Sequence, residues 1–291
     1  CLPLPLQRPA TAKKSPASSR STDLVEPLRF GIIGLGSIGA SVAQLARSES
    51  LLALVGVSAR DQARARARLE ELGVEAPVLP LPDLIERSEI LVEALPPAAF
   101  RSAVEPALQA GRSVMVLSSA SLLANWDLVA IAEGRGARLI LPSGAILALD
   151  AVRAAALGDA ISVTIRSSKP PRGFASTPYV VENGIDVMSA TKPLQLFAGS
   201  VRDGAAAFPT SVNVAVAAAL AGIGPDRTRL EVWADPGVTR NVHEVMVTSS
   251  AADFTARIEN IPSPNNPRTS SIVGQSVVAA LLNRRAVVQF A

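Results

Sequence analysis

Glycine recurs in the run Gly34-Leu35-Gly36-Ser37-Ile38-Gly39, and each glycine has a separate task if that run holds a dinucleotide. The first permits a tight turn, the second lets backbone approach a pyrophosphate, and the third lets a helix lie close to a strand. Ser37 and Ile38 open the helix, whose first N–H groups then face the phosphates. The spacing is weak by itself and gains weight only from a strand before it and a helix after it. About twenty residues further on, an NAD site has an acid for the ribose 2′-hydroxyl. Here the second strand ends Val57-Ser58-Ala59-Arg60-Asp61. Ser58 and Arg60 suit a 2′-phosphate, so the cofactor reads as NAD or NADP. Asp61 is a stand-in for the acid, and the plain alternative for Arg60 is the start of a solvated basic helix.

Proton transfer near neutral pH has one obvious carrier, because His243 is the sole histidine and a free imidazole titrates near pH 6.5, about where such work is done. Alternation over 241–248 sets His243 on one face with Val245 and Val247, and Glu244 on the other. A lone histidine on such a strand is as readily a satisfied core residue. The single cysteine, Cys1, excludes an intramolecular disulfide and fits a reducing cytoplasm. One cysteine and one histidine also exclude a zinc site built on several such ligands. No tight acidic cluster suggests magnesium, so no metal is expected.

These residues need elements to hold them. Apolar runs at 28–33, 51–57, 90–94, 113–117 and 138–141 read as strands. Helical stretches at 37–49, 61–72, 98–110 and 125–133 lie between them. That alternation predicts a parallel sheet covered on both faces, a doubly wound α/β Rossmann unit. After about residue 145 the rhythm changes. A helix is expected at 145–157, a strand at 161–167 and a helix at 212–221. Strands at 228–234, 241–248 and 253–261 read as a successive antiparallel set. In the Ser263–Ser270 stretch Asn266 suits a cap and Pro267 a first helical position, so a C-terminal helix is expected over 266–291. The division is then a flexible extension (1–27), a dinucleotide-binding unit (28–145, joined by that helix) and an α+β substrate and dimerisation unit (146–265).

Composition removes other classes. The chain has 291 residues, 48% hydrophobic and 18% charged, which is not the make-up of a disordered chain. No apolar run reaches the roughly 18 residues that span a bilayer, so no membrane partner is expected. Of the net charge of +3, Arg8, Lys13, Lys14 and Arg20 against Asp23 and Glu26 account for +2. The remaining +1, with aromatics at 3%, argues against nucleic acid. The 1–27 stretch lacks the basic start and continuous apolar core of a secretory signal.

Further segments carry a resemblance. They are Leu141-Pro142-Ser143-Gly144-Ala145, Phe208-Pro209-Thr210-Ser211-Val212-Asn213-Val214-Ala215, Asn241-Val242-His243-Glu244-Val245, and Pro264-Asn265-Asn266-Pro267-Arg268-Thr269-Ser270. With the glycine run, in this order and at these intervals, the chain from about residue 29 to residue 285 resembles the L-aspartate dehydrogenase family. The resemblance implies NAD(P)-dependent oxidation of L-aspartate to iminoaspartate, which hydrolyses to oxaloacetate and ammonia or feeds NAD biosynthesis. It implies that His243 is the active-site histidine and that Ala145 and Asn213 contact the dinucleotide. It also suggests a cytoplasmic homodimer. Two substrate carboxylates call for cations, and Lys169, Arg172 and Arg240 are the sequence-near candidates. Glu93, at the end of a strand, either faces the cofactor or caps a helix. One rival is a nucleotide-binding sensor without turnover. Another is a dehydrogenase of similar build for a different amino or imino acid.

Overall fold

The computed structural model describes residues 26–158, 160–209, 211–264 and 266–290, and the 1–27 extension up to residue 25 lies outside them. The first sheet is built from β1 (Leu28–Ile33), β2 (Leu52–Ser58), β3 (Ile90–Glu93), β4 (Ser113–Val116) and β5 (Leu139–Ile140). Its strands run parallel in the order β2-β1-β3-β4-β5. Parallel strands covered on both faces need apolar residues on both, and β1 and β3 are accordingly buried almost throughout. Phe30 and Ile32 turn to one face, where α1 (Ser37–Ala46) packs through Val42, Ala43 and Ala46. Ile33, Leu91 and Val114 join the other cluster with α3 (Leu81–Arg87), α4 (Pro97–Gln109) and α6 (Leu128–Gly134). The chain turns back across the sheet between β1 and β3, so the loops leaving these neighbours diverge and open a crevice between them. A basic helix, α2 (Gln62–Glu71), and a short buried one, α5 (Ser119–Ala124), complete this unit.

The second sheet is mixed, with order β10-β9-β6-β8-β7. The elements are α7 (Leu149–Leu157), β6 (Ala160–Lys169), α8 (Pro178–Glu182), β7 (Leu194–Ser200), α9 (Val201–Ala207), α10 (Asn213–Ala221), β8 (Arg229–Ala234), β9 (Val242–Ser249) and β10 (Phe254–Glu259). The expected run of three successive antiparallel strands is corrected here. Only β9 and β10 form such a pair, and β6 lies between β8 and β9, parallel to the former and antiparallel to the latter. The link after β8 crosses the end of β6, where the Asp235 N–H donates to the Lys169 carbonyl at 2.8 Å. A central strand must bury one full side, and β6 supplies Val163 and Ile165 for that purpose.

Two helix starts also move. The helix expected from 145 begins at Leu149, after Ala148 in a left-handed conformation (φ 62°), and Gly144 before it is left-handed as well. Asn266 and Pro267 do not start the last helix. They lie in β12 (Asn266–Ser270), which pairs with β11 (Pro262–Ser263), and α11 (Ile272–Asn283) follows. Local capping signals lost to strand pairing. The last helix does return to the first sheet: Val277, Val278 and Leu281 share the cluster of β1 and α1. Among the described residues no helix is long and apolar enough to cross a membrane.

Candidate active site

The glycine loop sits at the crevice. Gly34 has φ +94°, and a Cβ there would strike the Ala94 carbonyl, so only glycine lets the loops after β1 and β3 meet. A Cβ on Gly39 would strike the Gly34 carbonyl. Gly36 differs, because its φ is an ordinary −73° and an added Cβ would meet nothing within 4 Å. The fold does not require glycine there. Open space beside free N–H groups at the start of α1 is what a pyrophosphate needs, so these residues fit a dinucleotide. The groove continues past Ser37, Ile38, Leu95 and Ser118 to Asn213. Arg60 is exposed beyond β2. Asp61 is not a free acid, because its side chain accepts from the Arg64 N–H at 3.0 Å and caps α2.

At Ile38, Leu117, Asn213 and Thr269 the groove opens into a second cleft. Lys169 and His243 line this cleft together with Ala145 and Ser211. The β6–β9 register sets Ser167 directly opposite His243, and Ser167 Oγ lies 2.9 Å from His243 Nδ1. Lys169, two residues along β6, shares the face of Ser167. Its Nζ donates to the Ser211 carbonyl at 3.4 Å and lies 5.5 Å from the centre of the Phe174 ring. No carboxylate pairs with it among the described residues. Enclosure by protein pushes the Lys169 ammonium down to about 8, although the cleft leaves it half-exposed. Burial, and then the charge on Lys169, push His243 down to about 3. The value near 6.5 assumed for a free imidazole does not hold here. His243 is neutral at physiological pH, and Lys169 is the group that titrates near it.

Ala145 and Asn213 are both tied in place. The Ala145 carbonyl accepts from Nδ2 of the buried Asn260 at 3.0 Å, and the preceding Gly144 N–H donates to Ser276 Oγ at 3.1 Å. Asn213 Oδ1 accepts from the Ala120 N–H at 3.0 Å, and the Asn213 carbonyl accepts from Ser119 Oγ at 3.2 Å. Arg240 is not brought to the cleft. The β9–β10 hairpin lays it beside Glu259, with Nε 3.5 Å from the carboxylate and the side chain 41% exposed. Arg172 is exposed as well. Asn260 and Ser276 carry no motif of their own, and the Ser167-Ser168-Lys169-Pro170-Pro171 segment resembles a family stretch without marking Ser167 as a partner of His243, which only strand register discloses. Among the described residues no group of three metal-ligating side chains occurs.

Known proteins match this arrangement along the chain. A model described as homoserine dehydrogenase, NAD binding domain, matches residues 34–142, and one described as aspartate dehydrogenase, C-terminal, matches residues 150–284. An L-aspartate dehydrogenase of Bradyrhizobium diazoefficiens is 45% identical over 259 residues, covering 89% of this chain and 92% of that one. L-aspartate dehydrogenase 3 of Bordetella bronchiseptica is 46% identical over 266 residues, covering 91% and 97%. The chain belongs to the L-aspartate dehydrogenase family. The crystal structure of aspartate dehydrogenase from Thermotoga maritima shares the fold, with a TM-score of 0.69 at 22% identity, covering 91% of this chain and 99% of that one.

For this member of the L-aspartate dehydrogenase family, Gly36→Val leaves the urea midpoint close to wild type, within about 0.5 kcal/mol of stability, because nothing lies where the side chain goes. The same change abolishes the fluorescence enhancement of NADH, because the valine fills the pyrophosphate's space. Lys169 gives a second expectation. Below about pH 8 it is protonated and ready for an anion, and above that value an anion must bring a proton with it. The inhibition constant of succinate, an unreactive dicarboxylate, is therefore flat below pH 8 and weakens about tenfold per pH unit above it. Lys169→Met removes both the affinity and its pH dependence. Stability runs the opposite way: the folded state holds this proton less well than the unfolded state, so the free protein gains stability from Lys169 as pH rises from about 8 to 10.5.

Proposed function

We propose that the chain is an NAD(P)-dependent L-aspartate dehydrogenase that converts L-aspartate to iminoaspartate, which hydrolyses to oxaloacetate and ammonia or feeds NAD biosynthesis. The observation that carries this reading is the meeting, at Asn213, of a dinucleotide groove with a cleft that holds an unpaired lysine and a neutral imidazole. Gly34, Gly36, Ser37, Ile38 and Gly39 hold the pyrophosphate, and Ala145 and Asn213 flank the nicotinamide end. When bound, the nicotinamide supplies the acceptor for the hydride that leaves the substrate Cα. Residues 28–145 with α11 form the cofactor side, and residues 146–265 the substrate side.

The chain's own groups do the rest. Lys169 binds one substrate carboxylate by charge and hydrogen bond. His243 Nδ1 is taken by Ser167, so Nε2 is the nitrogen left for the reacting centre. With the proton on Nδ1 and Ser167 Oγ accepting, Nε2 presents a lone pair. It takes a proton from the substrate ammonium, passes that proton to solvent, and only then takes a second from the water that attacks the imine carbon. The net negative charge of bound aspartate, two carboxylates against one ammonium, raises the pKa of both His243 and Lys169. That brings the imidazole toward the range useful to a base only once substrate is present. Arg60, beyond β2 and clear of Asp61, reads the 2′-phosphate of NADP. The chain works in the cytoplasm as a homodimer, a reading supported by the open face of the second sheet around Arg166, Trp233 and Arg257.

The test is an assay of purified protein. NADH or NADPH is consumed with oxaloacetate and ammonium, and L-aspartate is oxidised in strong preference to L-alanine, which has no side-chain carboxylate for the cleft to bind. Equal turnover of alanine would sink the substrate assignment. His243→Ala lowers kcat by about 10²–10⁴-fold while dinucleotide affinity holds. The limb near pH 8 survives in that variant, because it belongs to Lys169. A lower melting temperature with unchanged turnover per folded molecule returns His243 to the core. Arg60→Ala weakens NADPH more than NADH, and equal losses remove Arg60 from recognition.

A further inference from the structure

Glu93 is the last residue of β3 and is wholly buried, with no cation paired to it among the described residues. Four donors surround its carboxylate. Oε1 accepts from the Leu95 N–H at 2.7 Å and from Ser118 Oγ at 2.9 Å. Oε2 accepts from the N–H groups of Leu117 at 3.2 Å and Ser118 at 3.0 Å. These donors come from two loops, one after β3 and one after β4, and both line the dinucleotide groove. The first loop is also tied to the second where its Leu95 carbonyl accepts from Ser118 Oγ at 3.0 Å, but it has few N–H groups to give. Ala94 N–H is spent on the Ile33 carbonyl, and Pro96 and Pro97 have no N–H to offer, so Leu95 is its remaining donor. The second loop runs on to Ser119 and Ala120, which hold Asn213 through its carbonyl and its Oδ1. An amide whose oxygen is held by an N–H must turn its NH₂ elsewhere, and Asn213 lines both groove and cleft.

We propose that Glu93 is a positioning residue for the dinucleotide: its buried carboxylate locks the loops at 94–97 and 117–120 together and, through Ala120, orients the Asn213 amide toward the nicotinamide end. This rests on the reading that Asn213 contacts the dinucleotide. Neither facing the cofactor nor capping α4 describes Glu93. It acts one residue layer behind the groove wall.

Glu93→Ala strips every acceptor from buried N–H groups and endangers folding, so Glu93→Gln is the informative change. Its single amide oxygen can serve the donors at Oε1 or those at Oε2 but not both, so its NH₂ meets one loop's N–H groups donor to donor and the lock between the two loops, on which the Asn213 orientation rests, opens. The experiment measures the Kd of NADH by fluorescence for wild type, Glu93→Gln, Asn213→Ala and the double variant. The expected result is about a five- to tenfold loss for Glu93→Gln, the worth of one hydrogen bond, and no further loss when it is added to Asn213→Ala. Additive losses overturn the proposal, because they mean Glu93 acts without Asn213. So does unchanged affinity in Glu93→Gln. Unchanged affinity in Asn213→Ala overturns the underlying contact and the proposal with it, whereas a loss there with additivity leaves the contact standing.

Discussion

The register between β6 and β9 is the constraint on which the site depends. It sets Ser167 opposite His243, with Ile165 opposite Val245 and Val163 opposite Val247. A slip of one residue would turn His243 to the open sheet face and bring Glu244 into the core. The buried valines and isoleucine make that slip costly, so the same apolar pattern that stabilises the sheet also aims the imidazole. Lys169 follows from the same alternation, two residues beyond Ser167. Strand pairing thus does for this site what a helix face does in a bundle.

The cofactor side and the substrate side must also be held against each other, and single side chains do much of this. Asn213, at the start of α10, ties the second sheet unit to the loop after β4. Asn260, just after β10, fixes the Ala145 carbonyl on the link between the two sheets. Ser276 on α11 takes the Gly144 N–H, so the returning C-terminal helix braces the same link from the first-sheet side. The Asn260 bond is buried and the others are part-buried, and each lies within a few residues of the cleft. Satisfying backbone groups and positioning the site are here one and the same.

The first sheet was legible because its period is unambiguous: β1 is read to the residue, and the glycine run has the strand and helix its mechanism needs. The second half was harder. Strand positions at β8, β9 and β10 follow from alternation, but nothing local reveals that β6 inserts between two of them. Ser167 is therefore invisible as a partner of His243 until the register is known. Asn266 and Pro267 show the opposite failure, a sound local helix signal overruled by pairing with Pro262 and Ser263. Arg240 looked like a substrate cation because it lies near His243 in sequence. The hairpin sets it beside Glu259 instead, and sequence distance says nothing about the side a residue faces.

The charge on a half-buried lysine without a carboxylate raises the cost of protonating the buried imidazole beside it. Coulomb repulsion falls on whichever group is second to be protonated, and enclosure penalises both. In the free protein the balance leaves His243 neutral and Lys169 poised near pH 8. A monocarboxylic amino acid relieves little of this, because its ammonium offsets its one carboxylate. Aspartate brings a net negative charge, two carboxylates against one ammonium. In the proposed reading, a second carboxylate favours the protonated forms of Lys169 and His243, so aspartate differs from a monocarboxylic amino acid by more than its hydrogen bonds. Specificity and proton transfer then draw on the same electrostatic field, which is reason enough for the two residues to stand side by side.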